Sequence, residues 1–137
     1  MNEHRIAIVV DPTLPLGLLA NTVATIAVGI GAAHPSFGNT VLTDTVGRSV
    51  HNSADRPVPI LQAAPDVICT ILLKALPTPI DGRVIPFPEF ARSLHAFADY
   101  QTQFPARDLA TERIVGLGLA GPVKWVKSLT GNLKLLR

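Results

Sequence analysis

Gly116, Gly118 and Gly121 stand in the spacing G-x-G-x-x-G, which in dinucleotide-binding proteins lets the backbone approach a pyrophosphate. That chemistry needs a strand feeding a helix and an acidic residue about 20 positions onward. Here the glycines lie within an apolar run and no acid follows Glu112. The first two therefore read as positions of close packing. Gly121 opens the way to a helix whose free amides, with Lys124 and Lys127 nearby, form a candidate anion-binding site. The histidines His4, His34, His51 and His95 show no metal-ligand spacing with acids or with Cys69, so no metal and no cofactor is expected. The G-x-S-x-G elbow and the P-loop are both missing. Asp11 and Glu89 each follow a strand-like run, at the sheet edge where open α/β sheets bind ligands. Either could act as general base or polar anchor; as a turn or capping residue it would need no chemistry at all. Trp125, between Lys124 and Lys127, could stack on a base but serves better as core.

The elements that must position these groups are legible. Arg5–Val10 reads as a strand in which Ile6–Val10 form a continuous apolar run, as in a strand covered on both faces, and Asp11-Pro12 ends it. Pro15 opens a helix to about Ala32. Its small residues Gly17, Ala20, Ala24, Ala27 and Gly31 form one stripe, where another element can approach closely. Leu19, Val23, Ile26 and Ile30 form a bulky stripe beside it; Leu18, Thr22, Thr25 and Gly29 make the third face. Between His34 and Arg56 the chain is irregular, with a hairpin pairing Val41–Thr43 with Arg48–Val50 across residues 44–47. A short extended segment covers Pro57–Leu61, followed by a helix from Pro65 to about Ala75. A strand over Arg83–Pro86 precedes a helix from Pro88 to about Gln103, whose face carries Phe90, Leu94 and Phe97. Arg113–Ala120 is the last strand, Pro122–Leu129 a short basic helix, and the remainder a tail.

This alternation predicts a single α/β domain over residues 1–137, three-layered, with a mixed sheet of about four main strands flanked by helices. The two strands Arg5–Val10 and Arg113–Ala120 are expected in its interior. Composition agrees: of 137 residues, 47% are apolar and 16% charged, which excludes a disordered chain. Net charge is only +2, yet Arg113, Lys124, Lys127, Lys134 and Arg137 close the chain without an acid among them. That segment could favour RNA or another anion. The single Cys69, inside an apolar run, fits a small buried hydrophobe in a reducing, cytoplasmic setting. Leu14–Ala33 carries no charge, but Asn21, Thr22, Thr25 and its Gly and Ala content make it a core helix rather than a membrane span. With so little charge, an apolar patch should remain outside the core, and a homodimer is expected to cover it.

Two stretches resemble a known family. Ile8-Val9-Val10 and Gly17 to Gly29 are similar to the opening of type 2 peptidyl-tRNA hydrolases, an apolar strand leading to a G-K-x-A-A-Q-x-x-H-A-A-V-G helix. Leu119 to Pro122 and Val126 to Leu136 are similar to that family's closing I-G-P and D-K-V-T-G-H-L-K-L-L. The whole chain resembles an uncharacterised bacterial branch of that superfamily. The resemblance implies the peptidyl-tRNA hydrolase type 2-like fold but not its chemistry. The family's lysine falls on Leu18, its glutamine on Thr22 and its histidine on Thr25. Its D-A-G-x-T-Q segment has no counterpart, and the threonine before its I-G-P falls on Gly116. Peptidyl-tRNA hydrolysis is therefore not expected. Asp11, Leu18, Thr22, Thr25 and Glu89 define the cleft where a different residue set could serve a small-molecule enzyme; an RNA-binding module using the basic end is the other alternative.

Overall fold

The computed structural model describes residues 3–137. Strand β1 (His4–Val10) occupies the middle of a five-stranded mixed sheet. Its neighbours are β6 (Ile114–Pro122), antiparallel over seven register pairs, and β4 (Ile60–Gln62), parallel. Outside them lie β5 (Arg83–Pro88), antiparallel to β6, and the two-residue β7 (Lys134–Leu135), antiparallel to β4. The order β5-β6-β1-β4-β7 puts both strongly apolar strands in the interior, as their sequences require.

Both faces of that sheet are covered. Ile6 and Ile8 point to helix α1 (Leu16–Ala33), where they join Ile26, Ile30 and Phe37. Ala7 and Val9 point the other way, to helices α2 (Pro65–Ala75) and α4 (Val123–Thr130), with Leu72, Leu117, Leu119 and Val126. Alternation along one strand thus feeds two cores, which is why the run has no polar position. Opposite Ile8 and Val10 in the register stand Gly118 and Gly116. A Cβ on Gly116 would come within 2.6 Å of the Thr22 methyl and 2.8 Å of Ile26. The G-x-G pair is therefore a bare track on which α1 lies. Gly121, on the opposite face, makes room for the Trp125 ring against Gly82.

The structure corrects several sequence expectations. The tail is not free: Leu135 pairs with Leu61, and the Leu136 amide donates to the Ile60 carbonyl. The helix expected over Pro88–Gln103 is broken into a 3-10 turn over Glu89–Ser93, extended residues at Leu94 and Ala96, and α3 (Phe97–Gln103). In one continuous helix Phe90 and Tyr100 would lie about 15 Å apart along the axis. The break brings their rings to 5.7 Å, and Tyr100 meets Phe104 edge-on at 5.5 Å. Phe97 is left exposed. Finally, among the described residues no element covers the small stripe of α1: all five of its residues are exposed, and the helix sits on the sheet through Thr22, Ile26 and Ile30.

A hairpin forms in the expected place, closed by Gly47 at φ 90°, but its second strand starts one residue later than read: β2 (Val41–Thr43) pairs with β3 (Ser49–His51), so that Leu42 faces Val50 and Thr43 faces Ser49. It is a separate two-stranded sheet.

Candidate functional site

Chain direction brings the site together. β5 and β1 run the same way, and β6 runs against both between them. The residue after β1, Asp11, the residue after β5, Glu89, and the residue before β6, Arg113, therefore meet at one end of the sheet. The Arg113 guanidinium spans the two carboxylates, with Nε 2.9 Å from Glu89 Oε2 and Nη2 3.4 Å from Asp11 Oδ2. Asp11 is 1% exposed, while the Arg113 side chain is 54% exposed. Backbone bonds hold the frame: the Asp11 amide donates to the Val115 carbonyl and the Glu89 amide to the Arg113 carbonyl. The other Asp11 oxygen accepts from the amide and hydroxyl of Thr13, at 2.9 and 2.8 Å, which closes the turn after β1.

Helix α1 begins beside this end. Buried Thr22 donates its hydroxyl to the Leu18 carbonyl at 2.7 Å and accepts from Arg92 Nη2 at 2.9 Å. The Arg92 guanidinium lies over the Phe87 ring, 5.1 Å from its centroid, and its Nη1 is buried without a hydrogen-bond partner. Arg107 stacks on Phe90 at 4.2 Å and donates to Glu112 at 3.0 Å. Leu18, Glu89, Arg92, Arg107, Glu112 and Arg113 line one open cleft of about 640 Å³. A guanidinium offers five donors in a planar fork, so Arg113 keeps N–H groups free for a carboxylate or phosphate after serving Asp11 and Glu89.

Four of the five residues singled out for a cleft, Asp11, Leu18, Thr22 and Glu89, thus gather around two arginines. Thr25 lies apart, lining a neighbouring apolar pocket with Phe87, His95 and Tyr100. Sequence reasoning missed Arg92 and Arg107 and assigned Arg113 to the basic end. A cation flanked by two strand-end carboxylates was the available signal, but it becomes readable only once β6 is known to run antiparallel.

The anion-binding candidates stand elsewhere. Gly121 is buried within β6, opposite Arg5, and Lys124 is exposed on α4. Lys127 lines a separate groove with Arg5 and Arg56. Arg113 and Lys124 lie beyond opposite ends of β6, a strand about 30 Å long, so the five terminal charges do not make one stripe. Cys69 is buried, its thiol donating to the Leu109 carbonyl at 3.3 Å; burial, with Asp108 nearby, pushes its pKa up. At the far end of the sheet His4, His34 and Asp81 cluster, with the His4 and His34 rings 5.5 Å apart. Burial first, then Arg83 and His4, holds His34 below the usual imidazole value. Among the described residues no group of three or more His, Cys, Asp or Glu is arranged to hold a metal.

Comparison with known proteins yields the fold and a family. No curated protein matches the chain. A solved structure of a protein of unknown function, Atu0240 from Agrobacterium tumefaciens strain C58, is similar in fold, with a TM-score of 0.87 over 98% of both chains and 20% identity. The family model described as "Protein of unknown function (DUF2000)" matches residues 4–137, nearly the entire chain, and on that match the chain belongs to the DUF2000 family.

Proposed function

We propose that this protein binds a small molecule bearing a carboxylate or phosphate, held at the Arg92–Arg113 cleft, on a scaffold related to type 2 peptidyl-tRNA hydrolases but without their ester hydrolysis. The observation that carries the reading is Arg113, half exposed and fixed from behind by the buried Asp11. A guanidinium whose orientation is set by a buried carboxylate is ready to receive a second anion with little further ordering. Glu89, more than half exposed, is the partner that an incoming anion would displace.

The scaffold part is supported by adjacency. The two stretches that resemble the hydrolases lie at opposite ends of the chain, yet they fold as neighbours: β1 pairs with β6, α1 packs on β6, and β7 returns to β4. The chemistry is not supported at the matching positions. Leu18 borders the cleft where the lysine would stand, and Thr22 is engaged by Arg92. A cytoplasmic setting remains part of this reading, resting on the lone buried Cys69, and a bacterial origin rests on the resemblance alone. RNA binding is the less favoured alternative, because the terminal cations are dispersed.

Titration with a panel of small carboxylates and phosphomonoesters, alongside native mass spectrometry of the purified protein, tests this. At least one anion should bind, and Arg113→Lys should weaken it about tenfold. That change keeps the charge beside Asp11 but removes the fork; a charge-assisted hydrogen bond contributes about 1.5–3 kcal/mol. Equal binding by Arg113→Lys, or binding of RNA in preference to every small anion, overturns the assignment. Peptidyl-tRNA should not turn over, and Leu18→Lys should not make it do so.

A further inference from the structure

The surface of α1 that the sheet leaves uncovered is continuous with a second uncovered surface. Leu14–Ala33 has no charged residue, and Val28 is 72% exposed. Beside it an apolar groove of about 510 Å³ is lined by Val28 and Gly31 of α1, by Ile30 and Phe37, and by Ser53 and Val58. Ser53, flanked in the lining by Asn52 and Ala54, lies just beyond β3, so the β2–β3 hairpin rises from the rim of the groove. All six strand residues of this hairpin are exposed. Leu42 and Val50 face each other across the two strands, and with Val46 at the turn they are between 52% and 68% exposed. A lone two-stranded hairpin is marginal in water, and this one carries an apolar face that the described residues leave uncovered.

We infer that the hairpin of one copy seats on the α1 groove of a second copy, reciprocally, in a two-fold dimer. Charge selects this occupant. The hairpin's acid and base, Asp44 and Arg48, neutralise each other across the turn at 2.8 Å, and α1 has no charge to oppose. Each copy thus offers an apolar projection next to an apolar recess, the self-complementarity that a two-fold interface needs. Area points the same way. The α1 face, about 27 Å by 10 Å, supplies on the order of 300 Å² against the roughly 800 Å² per partner of a stable interface. A dimer of that size therefore needs the hairpin and the groove as well as the helix face.

Light scattering and sedimentation on the full chain at micromolar concentration should give twice the 14.6 kDa chain mass. Leu42→Glu and Val28→Lys replace residues that touch solvent in the single chain, so each should become monomeric while keeping its urea midpoint at low concentration. Mixing the two variants should restore a dimer: one hairpin–helix contact is then native and the other joins Glu to Lys. A monomeric wild type, a dimer that survives both changes, or a mixture that stays monomeric overturns the proposal. So does a monomer that co-sediments with phospholipid vesicles, since α1, with mean hydropathy 1.8, is by length and composition apolar enough to cross a membrane.

Discussion

Two rows of small residues run close together in this protein and have opposite fates. Gly116 and Gly118 lie on β6 directly beneath α1, where a methyl group would collide with Thr22, Ile26 or Ile30. Gly17, Ala20, Ala24, Ala27 and Gly31 lie on α1 itself, and at Gly17 and Gly31 an added Cβ would meet nothing within 4 Å. Both rows have the spacing of their element, two on the strand and three or four on the helix. The difference is what lies opposite. On the strand, bulky Ile6, Ile8 and their neighbours leave a trough only where glycine is present, and α1 fills it with isoleucine. On the helix, the sheet already has its bulky stripe, so the small stripe faces outward. Smallness along an element marks where something can approach; it does not say whether the partner belongs to the same chain.

Substitutions separate the two rows. The largest effect should come from Gly118→Val, which drives two methyl groups into Ile26 and Ile30. Overpacking of this kind lowers stability by about 1–3 kcal/mol, readable as a fall in the urea midpoint. An unchanged midpoint would mean that α1 does not rest on this track. Gly31→Ala should act in the other direction, raising the stability of the single chain by about 0.5–1 kcal/mol through helix propensity. Denaturation at a concentration low enough to keep copies apart checks it, and a loss would show that the outer row is covered within one chain. The smallest effect concerns the end of the same helix. His34 follows α1, its amide donating to the Ile30 carbonyl, and its folded pKa is lowered, chiefly by burial. The unfolded chain then binds the proton more readily, so stability is full above about pH 6.5 and declines as pH falls through that value toward the folded one. Denaturation midpoints at pH 7 and pH 5.5 should differ less in His34→Phe than in the unaltered chain.

Much of this fold is legible in the sequence. The unbroken apolar runs Ile6–Val10 and Ile114–Ala120 demanded interior strands, because a strand covered on both faces admits no polar position. Helix α1, the hairpin and the packing role of Gly116 and Gly118 followed from periods of 3.6 and 2 and from turn residues, all local properties of the chain. Tertiary structure decided the rest. Phe90 and Tyr100 could meet only by breaking a helix that local periodicity favoured, and Leu135 found a sheet edge that nothing in its own segment announces. The site was decided in the same way. Asp11 and Glu89 could be picked out as strand-end carboxylates, but Arg113 stands 102 positions from Asp11. Whether it reaches them depends on the direction of β6, which hydrophobic periodicity cannot encode: an apolar strand reads alike from either end, and only its pairing with β1 and β5 sets which end carries the charge.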